Sequence, residues 1–163
     1  MIKHVLVPLD GSPLAECALA YARALVNDDA GRLLLLTVVD PPLTPFLISP
    51  SPPVMQMESK DYAAHRKQLM QDALTYLNRV SERLDLAGAD TMIVDDSDPA
   101  NAIIEVAEAR GIGVIVMATH GRTGISRWLM GSVTSKVLQA APCPVMVVPA
   151  RMHESDDSPQ TKE

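Results

Sequence analysis

The segment from 117 to 132, MATHGRTGISRWLMGS, has the composition of a loop that binds phosphate. It contains three glycines, Gly121, Gly124 and Gly131. Glycine lets a backbone approach phosphate oxygens closely, and a helix N-terminus offers unpaired N–H groups and a positive dipole. A helix is predicted to begin near Val133, directly after Gly131 and Ser132. We therefore expect the backbone around Gly131 to hold phosphate, with the hydroxyls of Ser132 and Thr134 as further donors.

This segment differs from two familiar phosphate-binding loops. No Gly-Lys-Ser/Thr sequence follows at the spacing of a P-loop, and the glycines do not form Gly-x-Gly-x-x-Gly. A Walker lysine and a His-x-Gly-His sequence, which would serve phosphoryl or nucleotidyl transfer, are absent from the sequence. The segment therefore favours binding of a phosphate group over its transfer, and no catalytic residue is predicted.

The elements that position this segment alternate between strand and helix along the chain. Apolar runs predict five strands, at residues 2–9, 32–39, 89–94, 114–118 and 144–149. One predicted helix is capped by Ser12 with Pro13 in its first turn, and another is opened by Asp98 and closed by Gly111. A long helix between them has an apolar face made of Leu69, Ala73, Leu77, Val80 and Leu84. This alternation predicts an α/β fold with a single open five-stranded, mostly parallel sheet flanked by helices.

Three loops with unusual chemistry leave the carboxyl ends of the predicted strands. One runs from Pro8 through Asp10, the second follows Val38, and the third is the segment from 117 to 132. In open parallel sheets, ligands bind beyond the carboxyl ends of the strands, near the point where the strand order reverses. We therefore expect the three loops to form one binding site.

The composition fits one globular domain. The 163 residues are 47% hydrophobic and 21% charged, which is enough for one core and short for two ordinary domains. A net charge of −6 without a Lys/Arg cluster argues against a nucleic acid partner. Neither a signal peptide nor an apolar run of the ~18 residues that a membrane span needs is recognised. We expect a cytoplasmic protein in which Cys17 and Cys143 are reduced thiols.

Two segments do not fit the alternating pattern. Residues 40–57 contain six prolines, so a long surface loop is predicted there. Residues 151–163 are polar and acidic, and a disordered tail is predicted. The folded domain is therefore expected to span residues 1–150.

Three motifs, in colinear order, resemble those of the universal stress protein family. The first is VPLDGS at residues 7–12, and the last is APCPVMVV at residues 141–148. Between them, Ala118-Thr119-His120-Gly121 is followed by nine residues and then by Gly131-Ser132. The resemblance spans residues 1–149 and points to the ATP-binding branch of the family. It implies a Rossmann-like fold of the adenine nucleotide alpha hydrolase type.

The resemblance also implies ATP, with Mg²⁺, as the ligand and assigns positions to it. Asp10 would contact the ribose or adenine beside Pro8, and Val38 would hold the adenine edge through its backbone. The segment after the fourth strand would wrap the ribose and phosphates with Met117, Ala118, Thr119, His120, Gly121, Arg122, Thr123 and Gly124. The start of the next helix would bind the phosphates with Gly131, Ser132, Val133 and Thr134.

Ala118 departs from the family pattern, which has glycine at this position. If the backbone needs a positive φ there, the methyl group weakens ATP binding. The extended geometry favoured by residues 114–117 instead predicts that Ala118 is the last residue of a strand, where alanine is harmless.

Three functions remain open at this point. The first is a regulatory stress-response module whose nucleotide state controls oligomerisation or binding to an unidentified protein partner. The second is a slow ATPase or nucleotidyl-transfer enzyme. The third is a scaffold that does not bind ATP, for which Ala118 is the only support. The missing catalytic groups favour the first.

Some chemically suggestive side chains have simpler explanations. His120 has no partnering Asp or Lys in its loop, so it is predicted to position the loop or contact the ligand. Asp95, Asp96 and Asp98 are predicted to cap a helix and face solvent rather than to bind a metal.

The last predicted strand is short and apolar, and we expect it at an edge of the sheet. An apolar edge is a template for pairing with another chain, and a two-fold pair of identical edges covers it. We therefore expect a homodimer, which the resemblance also implies, while a tetramer is left open. The contact residues are predicted to be Pro144, Val145, Met146, Val147, Val148 and Pro149.

Overall fold

Strands and helices alternate along the described part of the chain. The computed structural model describes residues 3–26, 31–40, 59–84, 88–119 and 130–149. The elements are β1 (His4–Pro8), α1 (Pro13–Glu16), α2 (Ala18–Leu25), β2 (Arg32–Val39), α3 (Ser59–Arg83), β3 (Asp90–Asp95), α4 (Pro99–Ala109), β4 (Val114–Ala118), α5 (Ser132–Ala140) and β5 (Val145–Val148). The predicted tail, residues 151–163, and the proline-rich residues 41–57 lie outside the described residues.

The strands form one five-stranded parallel sheet in the order β3-β2-β1-β4-β5. The predicted fold class is therefore confirmed. From β1 the chain adds β2 and β3 on one side, and it then returns to add β4 and β5 on the other. The strand order thus reverses between β1 and β4, which makes the carboxyl ends of these two strands the expected place for a ligand.

Hydrophobic side chains fill both faces of the sheet. On one face, Val7 and Leu35 pack in a buried cluster with Leu77 of α3. On the other, Leu6 and Ile115 pack in a second cluster with residues of α4 and α5. Successive residues of a strand face opposite sides, so neighbours such as Leu6 and Val7 belong to different clusters. Burial on both faces explains why these strands are nearly continuous apolar runs.

Side-chain caps set the starts of two helices, as predicted. The Ser12 hydroxyl accepts a 3.1 Å hydrogen bond from the Ala15 N–H at the start of α1. The Asp98 carboxylate accepts hydrogen bonds from two N–H groups at the start of α4. The predicted helix after Pro13 differs in one respect, because it is divided at Cys17 into α1 and α2.

The predicted apolar face of α3 points into the sheet. Ala73, Leu77 and Val80 are buried, while Leu69 and Leu84 are half-buried. The strand predicted at 89–94 is displaced by one residue, to Asp90–Asp95. None of the helices in the described ranges is long and apolar enough to span a bilayer.

Candidate functional site

A cavity of about 660 Å³ opens at the carboxyl ends of β1, β2 and β4. It brings together residues from all three predicted loops. The predicted site residues that line it are Pro8, Asp10, Val38, Met117, Ala118, Gly131, Ser132, Val133 and Thr134. Thr119 directly follows β4, whereas the remaining predicted site residues lie outside the described residues: His120, Gly121, Arg122, Thr123 and Gly124.

The N-terminus of α5 forms one end of the cavity. Gly131 is its N-cap residue and, having no side chain, leaves the helix without a side-chain cap. The first N–H bonded to the Gly131 carbonyl is that of Ser135, at 2.9 Å. The N–H groups of Ser132, Val133 and Thr134 precede it, in the first turn, where a helix has no carbonyl partners of its own. These groups and the helix dipole suit an anion.

Two hydrogen bonds fix this helix start against the end of β4. The Gly131 N–H donates to the Thr119 carbonyl at 2.9 Å, and the Thr134 hydroxyl donates to the Ala118 carbonyl at 3.1 Å. The predicted contact of Thr134 with phosphate stays a prediction, and its hydroxyl is already engaged with the protein. Ala118 is the last residue of β4 and pairs with Val148, so its extended backbone accommodates alanine.

Asp10 lies at the carboxyl end of β1 and lines the middle of the cavity. One of its carboxylate oxygens accepts a 2.9 Å hydrogen bond from the Ser12 N–H. Such a bond from a residue two positions later holds the turn between β1 and α1 in shape. The carboxylate is therefore held in place after the end of β1 rather than swinging freely.

The backbone of Val38 faces the cavity beyond the end of β1. The Leu36 carbonyl points toward β1, because it accepts a 2.8 Å hydrogen bond from the Leu9 N–H. The Val39 carbonyl points toward β3, because it accepts a 3.1 Å hydrogen bond from the Asp96 N–H. Polar groups of successive strand residues point alternately to the two sides, so those of Val38 point to the β1 side. The register of β1 with β2 ends at Leu36, which leaves the Val38 N–H and C=O as a donor and an acceptor past that ladder.

Sequence reasoning missed the contribution of α3. This helix lines the cavity with Leu69, Asp72, Ala73 and Tyr76. The Tyr76 hydroxyl donates to the Glu16 carboxylate at 3.1 Å, and Arg83 forms an ion pair with the same carboxylate. Burial and the nearby Glu16 raise the pKa of Tyr76 well above its ordinary value, so the phenol remains a neutral donor. The apolar spacing of α3 identified its buried face, but nothing in the spacing indicated that this face also walls a cavity.

The described lining of the cavity is acidic. It includes the carboxylates of Asp10, Asp40 and Asp72, and none of the described lining residues is Lys, Arg or His. Within the described ranges, no group of three or more His, Cys, Asp or Glu residues is placed to hold a metal ion. A polyanionic ligand therefore needs a countercharge from beyond these residues.

The remaining candidate side chains lie outside the cavity. Asp95 forms an ion pair with Arg66, and Asp96 accepts a 2.8 Å hydrogen bond from the Asp98 N–H. Lys136 donates to Asp98 and lowers the pKa of that carboxyl. The other oxygen of the Asp98 carboxylate caps α4 by accepting from the N–H groups of Ala100 and Asn101, as predicted. The thiols of Cys17 and Cys143 are free, and burial raises the pKa of Cys143.

A model of the universal stress protein family matches residues 1–149. The chain belongs to this family. A universal stress protein of Methanocaldococcus jannaschii, MJ0531, is 31% identical over 148 residues, covering 91% of this chain and 82% of that protein. The solved structure of the hypothetical protein MJ0577 has a TM-score of 0.76 and 28% identity, covering 94% of this chain and 99% of that chain. The predicted family membership is therefore confirmed.

Two more distant structures of this family contain nucleotides. A universal stress protein in complex with cAMP has a TM-score of 0.60 and 21% identity, covering 92% of this chain and 98% of that chain. A family member from Arabidopsis thaliana with AMP bound has a TM-score of 0.61 and 17% identity, covering 96% and 97%. At these identities the likeness shows a shared fold.

Proposed function

We propose that this universal stress protein binds ATP in the cavity and acts as a regulatory module. The observation that carries the proposal is that one cavity has the helix start at Gly131 at one end and the backbone of Val38 at the other. The helix start suits phosphates, and the paired donor and acceptor of Val38 suit the edge of a base. Asp10, just after the strand between them, suits ribose hydroxyls.

The cavity and its family context support a nucleotide ligand. A volume of about 660 Å³ is in the range of small-molecule and cofactor sites. Relatives of the same fold hold cAMP and AMP. Because Ala118 is the last residue of β4, its methyl group gives no reason to favour a scaffold without a ligand.

Adenine fits Val38 better than guanine does. A backbone carbonyl accepts a hydrogen bond and an N–H donates one, and adenine offers an amino group beside an acceptor nitrogen. Guanine presents a carbonyl beside an N–H at the same edge, which would set donor against donor and acceptor against acceptor. A site built on such hydrogen bonds rejects the mismatched ligand strongly.

The acidic lining supports Mg²⁺ as a companion of ATP. Three carboxylates belong to the described lining of the cavity, so a free triphosphate would enter against their charge. Mg²⁺ is usually bound through substrate phosphates and water with one or two carboxylates, and it needs no dedicated cluster of protein ligands. Magnesium held by the phosphates would neutralise part of the ligand charge, as would basic residues of the segment 120–129.

Regulation is favoured over catalysis by the missing transfer motifs. Phosphoryl or nucleotidyl transfer needs a cationic clamp and a positioned nucleophile or base, and the sequence has neither a Walker lysine nor a His-x-Gly-His. We infer that the nucleotide changes oligomer state or partner binding in the cytoplasm, with at most weak hydrolysis. Slow ATPase activity is the alternative, and a turnover assay under saturating Mg²⁺ and ATP decides between the two.

The decisive experiment is titration calorimetry with ATP, GTP and adenosine, each with Mg²⁺ and with EDTA. We expect ATP to bind at least about tenfold more tightly than GTP. We also expect removal of Mg²⁺ to lower the affinity for ATP and to leave the affinity for adenosine unchanged. A protein that bound neither ATP nor adenosine would refute the proposal. Equal affinity for ATP and GTP would remove Val38 as the group that selects the base.

A further inference from the structure

Thr37 is a buried polar residue in the central part of the sheet without a hydrogen-bond partner. It lies near the end of β2 and is 6% exposed. Its Oγ1 is buried and has no hydrogen-bond partner, and among the described residues no other side-chain oxygen or nitrogen is in this position. By alternation along β2 it shares a face with Leu33 and Leu35, which belong to the apolar cluster on the α3 side.

A hydroxyl at this position has a cost that a methyl group would not have. Leaving a buried hydroxyl unpaired is unfavourable, whereas valine has nearly the same shape as threonine and no polar atom. Valine is also as favourable as threonine in a strand. The sheet alone therefore gives no reason for threonine at this position.

Thr37 also lines the cavity, which offers a partner for its hydroxyl. Rotation about χ1 carries the threonine hydroxyl from one staggered position around Cβ to another. The strand does not have to move for this. A ligand in the cavity is thus able to recruit the hydroxyl. A hydroxyl both donates and accepts, so it pairs with either kind of ring atom.

The position of Thr37 in the sheet indicates which part of the ligand it meets. The helix start at Gly131 lies beyond β4, and β1 separates β4 from β2. Two strand spacings separate β4 from β2, a distance of about 9.5 Å. Phosphates at the helix start therefore place the opposite end of a nucleotide over β2, where Leu69 and Ala73 of α3 add an apolar wall.

We propose that the Thr37 hydroxyl hydrogen-bonds the base of the bound adenine nucleotide and contributes to its affinity. This inference rests on the proposed function and extends it to a side chain that neither the motifs nor the family resemblance identifies. In the ligand-free protein the hydroxyl is unpaired, so the same group that strengthens binding lowers the stability of the empty protein.

The test compares Thr37→Val with wild type and with Thr37→Ser. Titration calorimetry with adenosine and with Mg-ATP measures affinity, and thermal unfolding without ligand measures stability. We expect Thr37→Val to bind both ligands about three- to tenfold more weakly, by the same factor, because the lost bond is at the base. Its melting temperature without ligand should rise by about 2 to 4 °C. Thr37→Ser should retain the affinity of wild type.

Ser132→Ala serves as the matched control, because Ser132 lies at the phosphate end of the cavity. It should weaken the binding of Mg-ATP and leave the affinity for adenosine unchanged. A Thr37→Val protein with wild-type affinity for adenosine would overturn the inference while leaving the proposed function intact. A wild-type protein that bound neither ligand would refute the proposed function, and the role of Thr37 with it.

Discussion

The hydroxyl of Thr134, in the first turn of α5, donates a 3.1 Å hydrogen bond to the carbonyl oxygen of Ala118 at the end of β4. Both residues are buried. Together with the 2.9 Å bond from the Gly131 N–H to the Thr119 carbonyl, it joins the two ends of the segment 120–129. The N–H groups at the start of α5 are thereby held in place relative to the sheet.

Thr134→Val tests this anchor. The substitution keeps the shape of the side chain and leaves the Ala118 carbonyl buried without its donor, so the free energy of unfolding should fall by about 1 to 2 kcal/mol. Affinity for ATP should fall with it, since the helix start is less firmly placed. Urea unfolding and calorimetry measure the two effects. Thr134→Ser, which keeps the hydroxyl, should behave like wild type, and a fully stable Thr134→Val would show that the bond does not hold the helix.

Gly131→Val tests the helix start as the phosphate site. The backbone of Gly131 has φ −58° and ψ 152°, which residues with a side chain also adopt, so the fold should survive with a loss of about 1 kcal/mol or less. A branched side chain there would block the close approach of a phosphate, and ATP affinity should fall by at least about tenfold.

The smaller Gly131→Ala is the graded control for that experiment. It should weaken ATP binding less than Gly131→Val does, and it should leave the unfolding curve nearly unchanged. Adenosine, which has no phosphate, should bind both variants as it binds wild type. Unchanged ATP affinity in Gly131→Val would remove the helix start from the binding site.

Asp10 is expected to act at the nucleoside. Asp10→Ala should weaken the binding of ATP and of adenosine by the same factor. The factor should be about ten- to hundredfold, because the lost hydrogen bond is to a charged group. Alanine also removes the 2.9 Å bond that the carboxylate accepts from the Ser12 N–H, so some stability is lost too. Asp10→Asn keeps an acceptor for that bond and separates the two effects. A loss confined to ATP would instead place Asp10 at the phosphates.

Much of the fold was predictable because local signals and burial agree. The apolar runs at 32–39 and 114–118 coincide with β2 and β4, since strands buried on both faces leave few polar positions. Ser12 and Asp98 cap helices as their positions before prolines predict. The division of the first helix at Cys17 had no such signal, because neither glycine nor proline stands there.

Less of the candidate site was predictable, because part of its wall comes from the packing of α3 against the sheet. Asp10, Val38 and Gly131 were predicted from strand ends and motifs, and the cavity brings them together. Tyr76 was not, since its position depends on a contact with Glu16, sixty residues earlier. Thr37 also escaped notice, because an unpaired hydroxyl becomes visible only when all its neighbours are placed.

The edge strand β5 turns alternate backbone groups away from β4. The Pro144 carbonyl accepts from Ile115 at 3.0 Å and the Val148 carbonyl accepts from Thr119 at 2.9 Å, so both face β4. By alternation, the polar groups of Val145 and Val147 face away from β4. In the described sheet β5 lies at the edge, and the hydrophobic side chain of Met146 on this strand is exposed. This edge is the proposed homodimer contact.

Val147→Pro tests whether two copies of this edge pair. Because the Val147 N–H faces away from β4, its loss removes a donor from the proposed contact and none from the β4–β5 ladder. We expect wild type to scatter light as a dimer at micromolar concentration and Val147→Pro as a folded monomer, with stability reduced by about 1 to 2 kcal/mol. Val147→Ala keeps the N–H and should remain dimeric. A monomeric wild type, or a dimer that survived the proline, would exclude this edge, since the proline removes the Val147 N–H from the centre of the proposed contact.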